Sequence, residues 1–210
     1  MGAGAVDEME VSLAPRHLRV VADDEAALVD RARHDRDAFG ELYRRHVRAV
    51  YGYAYRLTGS ATQAEDVTAA TFERALRALP SFRWQAGGVR PWLLRIAANE
   101  ANGWFRSEAR QRRPRAQSAL RILSGDGSTP PDPASVIGRD VGPSLSALRA
   151  ALATLPDRHR EVIGLRYLAG MSADEAATAL GCSKATLAVA LHRALAALRR
   201  ALPDPTEEAT

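Results

Sequence analysis

Arginine and aromatic side chains are mixed in one stretch of the chain, residues 81–115. The stretch holds eight arginines and two glutamates, so eight minus two leaves a local charge of +6, more than the +4 of the whole chain. Guanidinium groups neutralise phosphates, and neighbouring aromatic rings offer flat faces on which unpaired bases stack. These residue types suit a nucleic acid. A charge run is also typical of a solvated face, and Trp92 and Trp104 are equally compatible with a core.

A second candidate lies in residues 172–200. Ser172 and Glu175 have the spacing of a capping box, which predicts a helix start, and Gly181 favours the left-handed conformation that ends a helix. Ser183 is placed to cap a second helix, in which apolar side chains recur on one face: Leu187, Leu191, Ala194 and Leu198. Two helices joined by so short a turn predict a helix-turn-helix, whose second helix can enter the major groove of DNA.

The outer face of this second helix is basic. No acidic residue lies between Ser183 and Arg200, and the wheel places His192, Arg193, Arg199 and Arg200 away from the leucine face. Such an edge suits phosphates. The alternative is a helical hairpin within an ordinary bundle, because periodicity alone does not identify DNA binding.

Composition excludes several other classes of protein. The 210 residues are 46% hydrophobic and 26% charged, an ordinary globular mixture, with few aromatic side chains. A single cysteine, Cys182, excludes an intramolecular disulfide framework and a thiolate metal cluster, so we expect no metal and no cofactor. The sequence has neither a long apolar run nor a secretory signal, and we expect a cytoplasmic protein that does not insert into membranes.

These features must be positioned by helices, and the predicted fold is all-α, with two small helical domains joined by a flexible linker. The first helix of this domain is expected to begin at Asp24, and its fourth helix is expected to end at about Arg113. His46 lies on the apolar stripe of the second helix, and we expect it in the core. The loop 81–89 is expected to expose Phe82 and Trp84, and the linker would let the domains sit far apart. The predicted parts are a mobile tail 1–22, a first domain 23–115, a linker 116–142, a second domain 143–202 and a C-terminal tail 203–210.

Two sets of motifs carry a family resemblance. The second domain contains LPDRHREV (155–162) and LRYLAGMS (165–172), and the first contains PWLLRIAAN (91–99) and AEDV (64–67). In this order they resemble an RNA polymerase sigma factor of the extracytoplasmic-function group, in which sigma region 2 and sigma region 4 are joined by a linker. The resemblance covers about residues 24–200, excluding the linker.

The resemblance implies partners and site residues. Region 2 would dock on the beta-prime coiled coil of core RNA polymerase and capture a flipped base of the minus-ten promoter element, while region 4 would read the minus-thirty-five element and contact the beta flap. An anti-sigma protein is a further implied partner. The implied polymerase-binding residues are Asp66, Thr71, Phe72 and Arg74. The implied minus-ten residues are Phe82, Trp84, Arg90, Arg95, Asn99, Trp104 and Arg106. The implied minus-thirty-five residues are Ser183, Lys184, Ala185, Thr186, Ala188, Val189, His192 and Arg193.

The recognition helix departs from the family pattern. Where the family usually reads GTVKSRL, this chain reads ATLAVAL at 185–191, so two basic side chains and a serine are replaced. These losses weaken polar readout in the major groove. Alanine and valine can contact thymine methyl groups, which is compatible with an AT-rich upstream element, with His192 and Arg193 left as polar readers.

Three functional classes remain open. The first is a sigma factor, which directs promoter recognition and melting without catalysis of its own. The second is a degenerate sigma-like regulator or interaction module that does not open promoters. The third is an enzyme, which we do not expect, because the sequence has no Gly-rich phosphate loop, no Cys/His ligand spacing and no carboxylate pair in an apolar setting.

Overall fold

The computed structural model of the chain describes residues 16–84, 87–122 and 143–202, with side chains from residue 24 to 110 and from residue 145 to 202. Within these ranges every regular element is helical. Residues 1–15 of the predicted tail, residues 123–142 of the predicted linker and the tail 203–210 lie outside the described residues. The domain boundaries therefore stay a prediction.

Four helices build the first unit, residues 16–122. They are α1 (Arg16–Ala32), α2 (Arg36–Thr58), α3 (Ala61–Ala78) and α4 (Val89–Ile122), with a short 3-10 turn at Leu79–Ser81. The helix ends follow local chemistry. Asp35 caps α2 by accepting from the Asp37 backbone N–H at 2.9 Å, and Gly59 ends it with a φ of 75°. Ser60 then caps α3, its side chain accepting from the Gln63 backbone N–H.

Two helix bounds differ from the sequence-based expectation. α1 begins at Arg16, not at Asp24, so part of the predicted tail is helical. α4 continues to Ile122, beyond the end expected near Arg113, although Pro114 removes one backbone donor. The residues after Pro114 (RAQSALRI) are rich in good helix formers, which offsets the lost hydrogen bond.

The second unit, residues 143–202, contains the predicted helix-turn-helix. Its helices are α5 (Pro143–Thr154), α6 (Asp157–Ile163), α7 (Ala173–Leu180) and α8 (Lys184–Ala201), and a π-helical turn, Gly164–Leu168, follows α6. The capping box is confirmed: Glu175 accepts from the Ser172 N–H at 2.8 Å, and Ser172 Oγ accepts from the Glu175 N–H at 3.2 Å. On α7, Ala173 is exposed, whereas Ala176, Ala177, Ala179 and Leu180 lie in the core.

The two units pack against each other. Their buried apolar residues form a single cluster, in which α2 and α4 of the first unit meet α6, α7 and the π-helical turn of the second. The expectation that the units sit far apart is not met in this structure. Of the helices described, none is long and apolar enough to cross a membrane.

Candidate nucleic-acid interface

The outer face of α8 is a row of exposed side chains. All eight residues that the sequence suggests as readers of duplex DNA are exposed: Ser183, Lys184, Ala185, Thr186, Ala188, Val189, His192 and Arg193. Val189 has 52% of its surface accessible, a high value for an aliphatic side chain. The opposite face is fixed in the core by Leu187, Ala194 and Leu198. The helix therefore presents small, apolar and basic groups outward on a rigid support.

The N-terminus of α8 is tied to α7. Ser183 Oγ accepts from the Thr186 N–H at 3.1 Å, which satisfies one of the free donors of the first turn. Lys184 Nζ lies 2.6 Å from Asp174 Oδ1 on α7, an exposed ion pair that contributes little to stability. The Ser183 cap thus orders the turn between α7 and α8, and the N-terminus of α8 is exposed.

The loop between the 3-10 turn and α4 exposes only one of its two aromatic rings. Trp84 is 40% exposed, whereas Phe82 is 6% exposed and packs 4.8 Å from the Trp92 ring, measured between centroids. The expectation that Phe82 is exposed is wrong, because its ring packs against Trp92 of α4 and Arg33 donates to the Phe82 carbonyl at 2.8 Å. The Phe82 ring lies edge-on to Trp84, and of these two rings only Trp84 is accessible to a partner.

Along α4, the other suggested minus-ten residues differ in their accessibility. Asn99 is exposed, while Arg95 and Trp104 are half-buried. The Trp104 ring lies edge-on against Phe105, with 4.6 Å between the centroids. The side-chain amide of Asn99 is therefore accessible for a hydrogen bond with a base edge.

Two of the suggested minus-ten arginines are bound by the second unit. Arg90 donates to the Ala169 carbonyl at 2.9 Å, and Arg106 forms an ion pair with Asp157. Arg160 of the second unit makes a further contact with α4. It donates to Asn102 Oδ1 at 2.7 Å, and its guanidinium carbon lies 4.2 Å from the centre of the Phe105 ring. In this arrangement the second unit covers part of the basic face of α4.

Sequence reasoning did not single out Arg160 or Asn102. Arg160 is 3% exposed and also donates to the carbonyls of Leu152, Ala153 and Leu155 at the end of α5. Burial lowers the pKa of this guanidinium, and Asp157 opposes that effect. The only available signal was the position of Arg160 within the LPDRHREV motif.

The suggested polymerase-binding residues fall into two groups. Asp66 and Arg74 are exposed on α3, and Arg74 pairs with Glu100 of α4 at 3.0 Å. Thr71 and Phe72 are buried, Thr71 donating to the Val67 carbonyl and Phe72 packing on Tyr43, so neither offers surface to a partner. A shallow groove of about 380 Å³ runs between α3 and α4 and is lined by Ala70, Glu73, Arg74, Arg77, Ala78 and Glu100.

Comparisons with known proteins agree on one family. The Sigma-70 region 2 model matches residues 42–111, and the Sigma-70, region 4 model matches residues 145–198. The ECF RNA polymerase sigma factor BldN of Streptomyces coelicolor is 33% identical over 195 residues, which cover 90% of this chain and 71% of BldN. The RNA polymerase sigma factor YlaC of Bacillus subtilis is 30% identical, with 82% of this chain and 96% of YlaC covered.

Two further relatives extend the agreement. The ECF RNA polymerase sigma factor SigL of Mycobacterium tuberculosis is 34% identical, covering 78% of this chain and 88% of SigL. The solved structure of CnrH in complex with the cytosolic domain of CnrY is similar with a TM-score of 0.54 and 29% identity, covering 84% of this chain and 95% of CnrH. With both sigma regions in order and relatives that share 30% identity or more, this chain belongs to the ECF RNA polymerase sigma factors.

Proposed function

We propose that this sigma factor carries core RNA polymerase to a promoter, reads the upstream element with α8 and opens the minus-ten element with the first unit. The observation that carries the proposal is the exposure of all eight suggested readers on α8, on the face without an acidic residue. Ala185, Ala188 and Val189 suit thymine methyl groups, and His192 and Arg193 supply hydrogen-bond donors to base edges or phosphates.

In the first unit, the proposal assigns base capture to Trp84 and Asn99. A base outside the stack gains stacking on an aromatic face and hydrogen bonds at its edge, which offsets the cost of unpairing it. Trp84 offers the ring and Asn99 the amide, and both are exposed. The arginines of α4 would neutralise phosphates of the separated strand.

Docking on polymerase is assigned to the exposed part of α3. Asp66 and Arg74 present opposite charges there, and the groove between α3 and α4 adds a concave surface. We assign the beta-prime coiled coil to this surface and the beta flap to the second unit, on the basis of the family. The chain would act in the cytoplasm, where polymerase and promoter are found.

The proposal is tested with purified chain and core polymerase of the native host on genomic fragments. Holoenzyme footprinting selects the fragments, and permanganate then reports unpaired thymines. We expect opening that depends on both components. If the chain binds duplex without core polymerase and never opens a fragment, it is a degenerate sigma-like regulator.

A matched pair of variants tests base capture. Trp84→Ala should lower promoter opening by about tenfold, since stacking of one base on an aromatic ring contributes roughly 1–3 kcal/mol. Trp84→Phe keeps a ring and should retain most of the opening. Equal opening by both variants would assign base capture to another residue.

We also propose a protein partner that holds the two units away from polymerase, an anti-sigma factor. The structure of CnrH, a relative of this chain, was determined with the cytosolic domain of CnrY. Affinity purification from the native host should recover such a partner in addition to polymerase. Recovery of polymerase alone would count against it.

A further inference from the structure

Glu25 of α1 lies at the point where three elements meet. Its Oε1 is 2.9 Å from Nε2 of His46, which is buried on α2. The backbone N–H of Val89, the first residue of α4, lies near the same carboxylate and helps to lower its pKa. Its other oxygen, Oε2, lies against Gly88, in the place that a Cβ would occupy there. One carboxylate thus contacts α2, the loop and the start of α4.

The start of α4 lacks the usual local means of satisfying its N–H groups. The residue before Val89 is Gly88, which has no side chain to act as a cap, and the first turn of α4 contains no acidic residue. Free N–H groups and the helix dipole favour a negative charge at this end. Glu25 supplies the charge from a different helix.

The loop that Glu25 contacts needs an external restraint. Gly87 and Gly88 have φ angles of 99° and 75°, and glycine loses more backbone freedom on ordering than other residues do. The Trp84 ring is next to this turn, because the end of the indole lies 3.7 Å from the point that a Cβ of Gly88 would occupy. The position of the Trp84 ring therefore depends on where Gly88 is held.

Glu25 is charged in this setting. The close pairing with His46, at 2.9 Å, is the largest influence and holds the pKa of Glu25 below its ordinary value, while partial burial acts in the opposite direction. A charged acceptor makes a stronger hydrogen bond to a backbone N–H than a neutral one does. The attraction between Glu25 and the N–H groups at the start of α4 is therefore at full strength at neutral pH.

We propose that Glu25 is a positioning residue for promoter melting, which fixes the Gly87–Gly88 turn and the start of α4 so that Trp84 is presented to an unpaired base. The inference rests on the proposed function. It assigns a role in region 2 to a residue that touches neither DNA nor polymerase.

The test compares holoenzymes containing the wild-type chain, Glu25→Ala, Glu25→Gln and Asp30→Ala on a promoter fragment selected by footprinting. Asp30 is an exposed acid on the same helix and serves as the control. Permanganate reactivity reports opening, and two further assays report core binding and binding of the closed duplex. Hydrogen exchange at the Val89 amide reports the restraint directly.

We expect Glu25→Ala to open the fragment about tenfold less, the size of a lost hydrogen bond to a charged group, with core and duplex binding unchanged. Glu25→Gln keeps an acceptor oxygen and should recover part of the opening, and Val89 exchange should quicken in the same order. Asp30→Ala should match the wild type.

Two results would overturn the inference. One is wild-type opening by Glu25→Ala. The other is a parallel loss of opening, core binding and duplex binding that follows the thermal midpoint, which would make Glu25 only a structural residue. If the wild-type holoenzyme opens no fragment, the proposed function itself fails, a result distinct from these two.

Discussion

Glu161 is a carboxylic acid with only 8% of its surface exposed, next to Arg158 of its own helix and close to Tyr53 and Arg95 of the first unit. Burial raises the pKa of Glu161 above its ordinary value, and the arginines reverse only part of that shift. The charged form is thus less favourable in the folded chain than in the unfolded one. Folding is therefore weakened as this group ionises.

The raised pKa of Glu161 predicts how the stability of the chain depends on pH. A raised folded-state pKa contributes stability below the unfolded value near 4.5, and the contribution is lost as pH rises through the folded value. Glu161→Gln, which stays neutral, should gain free energy of unfolding relative to the wild type between about pH 4 and pH 7. Urea unfolding of both chains across this range measures the difference. A difference that is constant with pH, or that falls, would contradict the assignment.

The sequence predicted the exposure of Trp84 but not the burial of Phe82. Both rings follow Pro80 within a few positions of a Gly-rich turn, and nothing in their types separates them. Their difference arises from packing, since the Phe82 ring lies against Trp92 of α4 and its carbonyl accepts from Arg33, in the turn after α1. Thr71 and Phe72 show the same limit, because a motif gives a residue's place in the family and not its depth in the core.

Among the elements, α7 is the one whose start is best specified by local chemistry. Ser172 and Glu175 each satisfy a backbone N–H of the other, and Gly181 ends the helix with a φ of 63°. The helix has only eight residues, so its caps satisfy a large share of its backbone groups. We therefore expect the capping box to contribute to the stability of the helix-turn-helix.

Ser172→Ala should lower the free energy of unfolding by about 1 kcal/mol, the usual contribution of an N-cap side chain. Chemical denaturation monitored by circular dichroism measures the loss. Ser172→Asp, which keeps an acceptor oxygen, should retain most of the stability. Equal losses in the two variants would show that the cap hydrogen bond is not the source.

The helices themselves were largely predictable, but two of their ends were not: the start of α1 and the end of α4. The apolar stripe of α2, the cap at Ser60 and the two helices of the helix-turn-helix follow from period and capping residues. The start of α1 and the end of α4 lack such signals. At Pro114 in particular, the preference of the following residues for helix outweighs the break that proline signals.

For the whole molecule, the packing of the two units was the least predictable feature. Several of the polar contacts between them join an arginine to a backbone carbonyl: Arg56 to Leu168, Arg90 to Ala169 and Arg149 to Arg56. A backbone carbonyl is present at every residue, so the sequence contains no pattern that marks these partners. The contact also includes a buried group without a partner, since no described atom hydrogen-bonds the Tyr53 hydroxyl.

Substitutions at Tyr53 and Gly164 are expected to strengthen or to weaken the packing between the two units. A Cβ at Gly164 would lie 2.7 Å from the Tyr53 hydroxyl, while the backbone of Gly164 has right-handed helical angles, φ −58° and ψ −49°, which alanine adopts without strain. Gly164→Ala should therefore separate the units without straining the second unit, and the radius of gyration should increase in small-angle X-ray scattering. Tyr53→Phe removes an unpaired buried hydroxyl and should favour the packed arrangement by about 1–3 kcal/mol.

The double variant, Tyr53→Phe with Gly164→Ala, provides the internal control. Once the hydroxyl is removed, the nearest remaining atom of the ring lies 3.3 Å from the new Cβ, so the double variant should be more compact than Gly164→Ala alone. If Gly164→Ala leaves the scattering curve unchanged, the packing seen here does not hold the units together in solution.

The packed arrangement occupies Arg90 and Arg106 but leaves the face of α8 open. Encounter with a promoter would then have a fixed order in time, in which the upstream box is met first and the strands are parted later. Under the proposed function, Ala169 and Asp157 would have to release the two arginines between these events. A change within the protein would then limit the rate of initiation before any base is unpaired.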